Sequence, residues 1–139
     1  MYLQSLEKKT KKMTRYVLDA SCLLALINEE AGRDVVQKAL PGSVMSAVNV
    51  SEVVTVLTRL GIPHEKVHST ISNLIHAVVP FDEEQAYIAG HLYIETQAKG
   101  LSFGDRACLS LGKAKNMSVL TADRPWSQID CGVDVQLIR

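Results

Sequence analysis

An excess of charge of either sign is the first thing this sequence lacks. Its 139 residues carry 15 Lys and Arg against 15 Asp and Glu, for a formal net charge of zero. A protein that coats nucleic acid is normally strongly basic, so that class is disfavoured, although a zero sum says nothing about where the charges lie. Cysteine is scarce too. Cys22, Cys108 and Cys131 are odd in number, far apart and in no C-x-x-C pairing, which argues against both a disulfide framework and a cysteine zinc site. They read as reduced residues of a cytoplasmic protein, with Cys22 and Cys108 placed in apolar helical patterns as small core residues. Long apolar runs are missing. The most apolar stretch, Tyr16 to Ile27, contains Asp19 and is too short to span a bilayer. No small-residue cleavage site follows the Lys-rich opening. No internal repeat or linker divides the chain.

What is present is a chain 47% apolar, of a length that makes one compact domain burying about two-thirds of its unfolded surface. The charges are unevenly placed. Residues 1–12 hold Lys8, Lys9, Lys11 and Lys12 against Glu7, a basic tail of net +3, which leaves residues 13–139 with 11 basic and 14 acidic groups.

The patterning predicts strands at Tyr16 to Leu18, Ser43 to Ser46, around Val78-Val79 and at Met117 to Thr121, with an edge strand at Val133 to Ile138. Helices are predicted between them: Ala20 to Glu29, Arg33 to Leu40, Val48 to Leu60, Pro63 to Leu74, a long one from Asp82 to Lys99, and Ser102 to Lys115. In the Val48 to Leu60 helix, Val50, Val53, Val54, Leu57 and Leu60 recur at core-facing spacing. Alternating strands and helices imply an α/β layered domain with a mainly parallel sheet, in which ligands bind beyond the carboxyl ends of the strands.

Two acids end strands, Asp19 and Asp123. Two more open helices, Glu52 and Asp105. If these ends converge on one sheet edge, four carboxylates share a small volume, where like charges coexist only around divalent cations or with raised pKa values. Oxygen-only donors select hard cations, Mg²⁺ or Mn²⁺, which can activate a water and stabilise the leaving oxygen of a phosphodiester. Each acid also has a plainer reading. Asp19 and Asp123 suit helix or turn caps, Ser102-x-x-Asp105 fits a capping box, and Glu52 suits an exposed helix position.

Val17-Leu18-Asp19-Ala20-Ser21, Asn49-Val50-Ser51-Glu52-Val53, Leu101 to Leu109 (LSFGDRACL) and Leu120 to Trp126 (LTADRPW) resemble, in order, the signature blocks of PIN-domain ribonucleases. They are most similar to the VapC toxins of bacterial type II toxin–antitoxin pairs. The resemblance runs from Met13 to Arg139. It implies a PIN-like three-layer α/β/α domain and a magnesium-dependent endoribonuclease leaving a 5′-phosphate and a 3′-hydroxyl. By position it implies a catalytic quartet of Asp19, Glu52, Asp105 and Asp123, with Asp19, Asp105 and Asp123 as metal ligands and the Ser21 and Thr121 hydroxyls supporting them. It further implies an RNA substrate, a cognate antitoxin and a homodimer. Family members usually begin near Met13, so residues 1–12 are either an overlong gene start or a basic arm. The further acid that some members carry after the fourth is missing from Arg124-Pro125-Trp126. Lys99, Arg106, Arg124 and Arg59 are candidate phosphate contacts, and Trp126 either stacks on a base or packs the last turn.

Two readings compete. A PIN-like domain that has lost activity would serve as an interaction module. A zinc metalloprotease is suggested by His64-Glu65-Lys66-Val67-His68, a literal H-E-x-x-H, with its third ligand to come from Glu83, Glu84 or Glu95. The context opposes it: no glycine and third histidine follow at the metzincin offsets, and both histidines fall at the margin of the Val67, Ile71 and Leu74 face.

Overall fold

The computed structural model describes residues 15–139. The basic segment 1–12 lies outside them. Five short strands, β1 (Tyr16–Leu18), β2 (Val44–Ser46), β3 (Ala77–Val79), β4 (Ser118–Thr121) and β5 (Val135–Leu137), form one sheet in the order β3-β2-β1-β4-β5. Every pairing is parallel, with Val17 opposite both Val44 and Val119. Among the described residues seven helices connect the strands: α1 (Ala20–Ile27), α2 (Arg33–Ala39), α3 (Ala47–Arg59), α4 (His64–Leu74), α5 (Glu83–His91), α6 (Tyr93–Thr96) and α7 (Phe103–Lys115).

Strand alternation distributes the core between the two sheet faces. Leu18 and Leu120 join Met45, Val53, Leu57 and Ile71 on one side, while Val17 and Val119 join Cys108, Leu109, Leu111 and Trp126 on the other. The result is the expected α/β/α sandwich. Gly112 lets α7 lie close on the sheet, since a Cβ there would meet Val119 Cγ2 at 2.5 Å. All three cysteines are buried and free. Among the described residues no helix is long and apolar enough to cross a membrane.

Two expectations are corrected. The long helix of residues 82–99 is broken at Leu92 into α5, α6 and a 3₁₀ turn, Gln97–Lys99. At the break the Ala89 carbonyl accepts a hydrogen bond from Arg106 Nη1 at 2.9 Å, and Tyr93 turns its ring to within 5.5 Å of that guanidinium. A tertiary contact outweighs local helix propensity here. Leu60, expected on the core face, caps the end of α3 and is 64% exposed.

Chain order places β1 and β2 to β3 on one side, then returns to put β4 and β5 on the other. The reversal between β1 and β4 opens a crevice at their carboxyl ends, where doubly wound α/β sheets bind ligands. Asp19 leaves β1 there, and Asp123 leaves β4.

Candidate active site

A pocket of about 330 Å³ lies at this crevice, lined by Asp19, Ser21, Asn49, Glu52, Asp105, Asp123 and Arg139 among others. All four acids singled out from the sequence border it, although they come from four separate segments. Asp19 is the N-cap of α1 and accepts from the Cys22 N–H. Glu52 projects from the second turn of α3. Asp105 closes a capping box with Ser102 at the start of α7. Asp123 caps no helix through its side chain.

Asp19 is the most enclosed, at 5% exposure. Ser21 Oγ donates to its Oδ1 at 2.5 Å and Thr121 Oγ1 to its Oδ2 at 2.8 Å. Each hydroxyl in turn accepts a backbone N–H, Ser21 from Ala122 at 2.9 Å and Thr121 from Asp123 at 3.0 Å. Both protons are therefore directed at the carboxylate. Burial pushes the Asp19 carboxyl up to about 6, against the downward pull of hydrogen bonds from Ser21, Thr121 and Cys22. The Asp105 carboxyl is also raised, chiefly by burial and further by the charge of Asp123, while its bonds to Ser102 oppose the shift. Cys108, behind the site, has its thiol pushed well up by burial and then by Asp19, Cys22, Asp105 and Glu52. A thiol so disfavoured as thiolate is inert.

The other three acids are each tethered through one oxygen. Glu52 Oε1 accepts from Asn49 Nδ2 at 2.7 Å, Asp105 Oδ2 from the Ser102 N–H at 2.9 Å, and Asp123 Oδ2 from Trp126 Nε1 at 2.9 Å. Among the described residues no side-chain hydrogen bond reaches their second oxygens. The donor set is thus oxygen only, partly desolvated and oriented, which suits a hard divalent cation in kind. As the side chains stand, no three His, Cys, Asp or Glu among the described residues are gathered tightly enough to hold a metal ion.

The expected cations lie elsewhere. Lys99 Nζ donates to Gln128 Oε1 at 2.9 Å, Arg124 and Arg59 are exposed, and Arg106 is packed against Tyr93 and Phe103. None of these lines the acidic pocket, whereas Arg139 does. Arg139 is held by the Ala31 carbonyl at 3.0 Å and by Glu30 at 3.6 Å. Trp126 is fully buried, so it packs the turn and does not stack on a base. Two polar pocket residues, Asn49 and Arg139, received no role from the sequence. Asn49 carried a signal in its position three residues before Glu52, on the same helix face. Arg139 carried none, because only the fold brings residue 139 beside residue 19.

The H-E-x-x-H histidines line a different pocket, of about 300 Å³, with Val50, Val54, Val67 and Ile71. Both are exposed, and none of Glu83, Glu84 or Glu95 joins them in lining it. The motif marks the apolar seam between α3 and α4, and the zinc reading finds no third ligand among the described residues.

An all-parallel five-stranded sheet sandwiched by helices, with an acidic crevice at its switch point, defines a doubly wound α/β domain, the class whose ligands bind beyond the carboxyl ends of the strands. The family model of the PIN domain matches residues 16–130, and the chain belongs to that family. Solved structures share the fold. A DNA-bound VapBC complex from Salmonella typhimurium aligns with a TM-score of 0.71 at 16% identity, covering 91% of this chain and 100% of that one. VapBC2 from Rickettsia felis, bound to a promoter DNA fragment, gives 0.69 at 16% identity over 89% and 98%. VapC20 from Mycobacterium tuberculosis, a sarcin-ricin loop cleaving toxin, gives 0.61 at 18% identity over 81% and 93%. Among curated proteins no relative matches the sequence.

Proposed function

We propose that this PIN domain is a Mg²⁺- or Mn²⁺-dependent endoribonuclease, the toxin of a type II toxin–antitoxin pair. The observation that carries the reading is the convergence of Asp19, Glu52, Asp105 and Asp123 on one pocket. Nothing in packing requires four acids there, and their mutual repulsion costs stability. In this reading Asp19, Asp105 and Asp123 hold the cation, and Glu52 binds it or orients a water. A bound divalent ion supplies an activated water and stabilises charge on the leaving oxygen. The chain's own groups do the rest. The Ser21 and Thr121 hydroxyls keep Asp19 fixed, and Trp126 and Ser102 fix Asp123 and Asp105. Arg139, the sole cation among the described residues lining the pocket, would take the phosphate, and the exposed Arg124 and Lys99 would serve the flanking backbone.

The toxin assignment is supported by the shared fold with VapBC complexes. It carries with it an antitoxin that covers the acidic pocket and a self-paired toxin, for which exposed Tyr87, Tyr93 and Ile94 offer apolar surface. Three free cysteines support a cytoplasmic setting. The test is RNA cleavage by purified protein with and without Mg²⁺. Asp105→Asn should abolish cleavage while the fold persists, and full activity in that variant would remove the assignment. A cleavage-site map of total RNA after brief expression would identify the target.

A further inference from the structure

Asn49 is 1% exposed and belongs to none of the groups assigned above. It sits on α3 three residues before Glu52, so the two side chains leave one helix face. Its amide nitrogen donates twice, to Glu52 Oε1 at 2.7 Å and to the Gly104 carbonyl at 3.0 Å. Both partners are pure acceptors, so the reversed amide would press Oδ1 against a carboxylate and a carbonyl. The orientation is therefore fixed, and it has a cost: Oδ1 is buried with no hydrogen-bond partner among the described residues. An apolar residue of similar volume would avoid that cost and pack equally well, so packing alone does not explain an asparagine.

Gly104 completes the arrangement from the other side. A Cβ there would stand 2.6 Å from Glu52 Oε2 and 2.8 Å from Oε1. The carboxylate thus passes over a bare Cα in the first turn of α7, held by Asn49 on one side and left clear by Gly104 on the other. We infer that Asn49 is a positioning residue, which locks Glu52 against the pocket wall with Oε1 engaged and Oε2 available to a divalent cation or its water. The inference rests on the metal-dependent reading of the pocket and adds to it a residue 55 positions from the α7 segment it grips.

A double-mutant cycle tests it, read by calorimetric titration of the full chain with Mn²⁺ as well as by RNA cleavage. Asn49→Ala and Glu52→Gln should each weaken Mn²⁺ binding about tenfold. If Asn49 acts through Glu52, the double variant should bind no more weakly than Glu52→Gln alone. Additive losses, or wild-type affinity in Asn49→Ala, would overturn the inference and leave the nuclease reading standing. Wild-type protein that neither binds Mn²⁺ nor cleaves RNA would overturn both. Should Asn49→Ala fail to fold, Asn49→Leu keeps the volume, removes the orphaned acceptor and takes its place in the same cycle.

Discussion

Replacing Asp19 with Asn should stabilise the protein at alkaline pH when divalent ions are absent. In the unfolded chain this carboxyl ionises near its ordinary value of 3.8, but in the fold burial raises it to about 6. Native protein therefore keeps a proton that the unfolded chain has lost. Stability falls as pH rises from about 4 to about 6 and stays low above it. At about 1.4 kcal/mol per decade, the penalty at pH 8 is about 3 kcal/mol. Asparagine never carries it. It loses something else, because the Ser21 and Thr121 hydroxyls both aim protons at residue 19 and one of them would meet an amide NH₂, at about 1 kcal/mol. The balance favours the variant by about 2 kcal/mol, which for a domain of this size is a Tm higher by about 6 °C. The assay is thermal unfolding in EDTA from pH 4 to 8 for both proteins. Their difference isolates residue 19, since every other titrating group is common to both. It should approach zero or reverse near pH 4. Mg²⁺ at a hundredfold excess over its Kd should stabilise wild type alone by about 2.7 kcal/mol, inverting the order at pH 8. A variant less stable than wild type at pH 8 in EDTA would refute the reasoning, as would a difference that does not change with pH.

Gly104→Ala should suppress cleavage at least tenfold while changing stability by no more than about 1 kcal/mol, because helix propensity gains what the displaced Glu52 rotamer costs; enzyme assay and chemical denaturation measure the two effects. Thr121→Val removes a hydroxyl that helps hold Asp19 ionised, so the carboxyl should rise further and the acid limb of the pH–rate profile should move to higher pH. His64→Ala should leave cleavage intact, and atomic absorption should find no stoichiometric zinc in either protein. Loss of bound zinc on that substitution would restore the metalloprotease reading.

Much of this was legible in the sequence because it is local. Runs such as Tyr16-Val17-Leu18 and Ser118-Val119-Leu120-Thr121 announce buried parallel strands, and the acids that end them sit where the chain must leave the sheet. Ser102 and Asp105 advertised a capping box, and the structure contains it. Asp105 shows that the plain role and the proposed catalytic one are compatible: one oxygen caps α7 and the other remains. What was not legible depends on contacts between distant segments. The break at Leu92 follows from an arginine 14 residues further on, and the Asn49 grip on Gly104 and the arrival of Arg139 at the pocket appear only once the helices dock. H-E-x-x-H was legible as the weaker reading for a local reason too, since the spacing that presents two histidines to zinc also lays them along the edge of a helix seam.

The bond from Trp126 to Asp123 has a practical consequence. Trp126 is the only tryptophan in the chain, fully buried, and its indole N–H rests on an acid proposed to hold the cation. Any ion or blocking peptide that draws on Asp123 must alter the electrostatics at that indole. The unlabelled protein therefore carries its own optical probe of the acidic pocket, through which occupancy can be followed by fluorescence before any substrate is known.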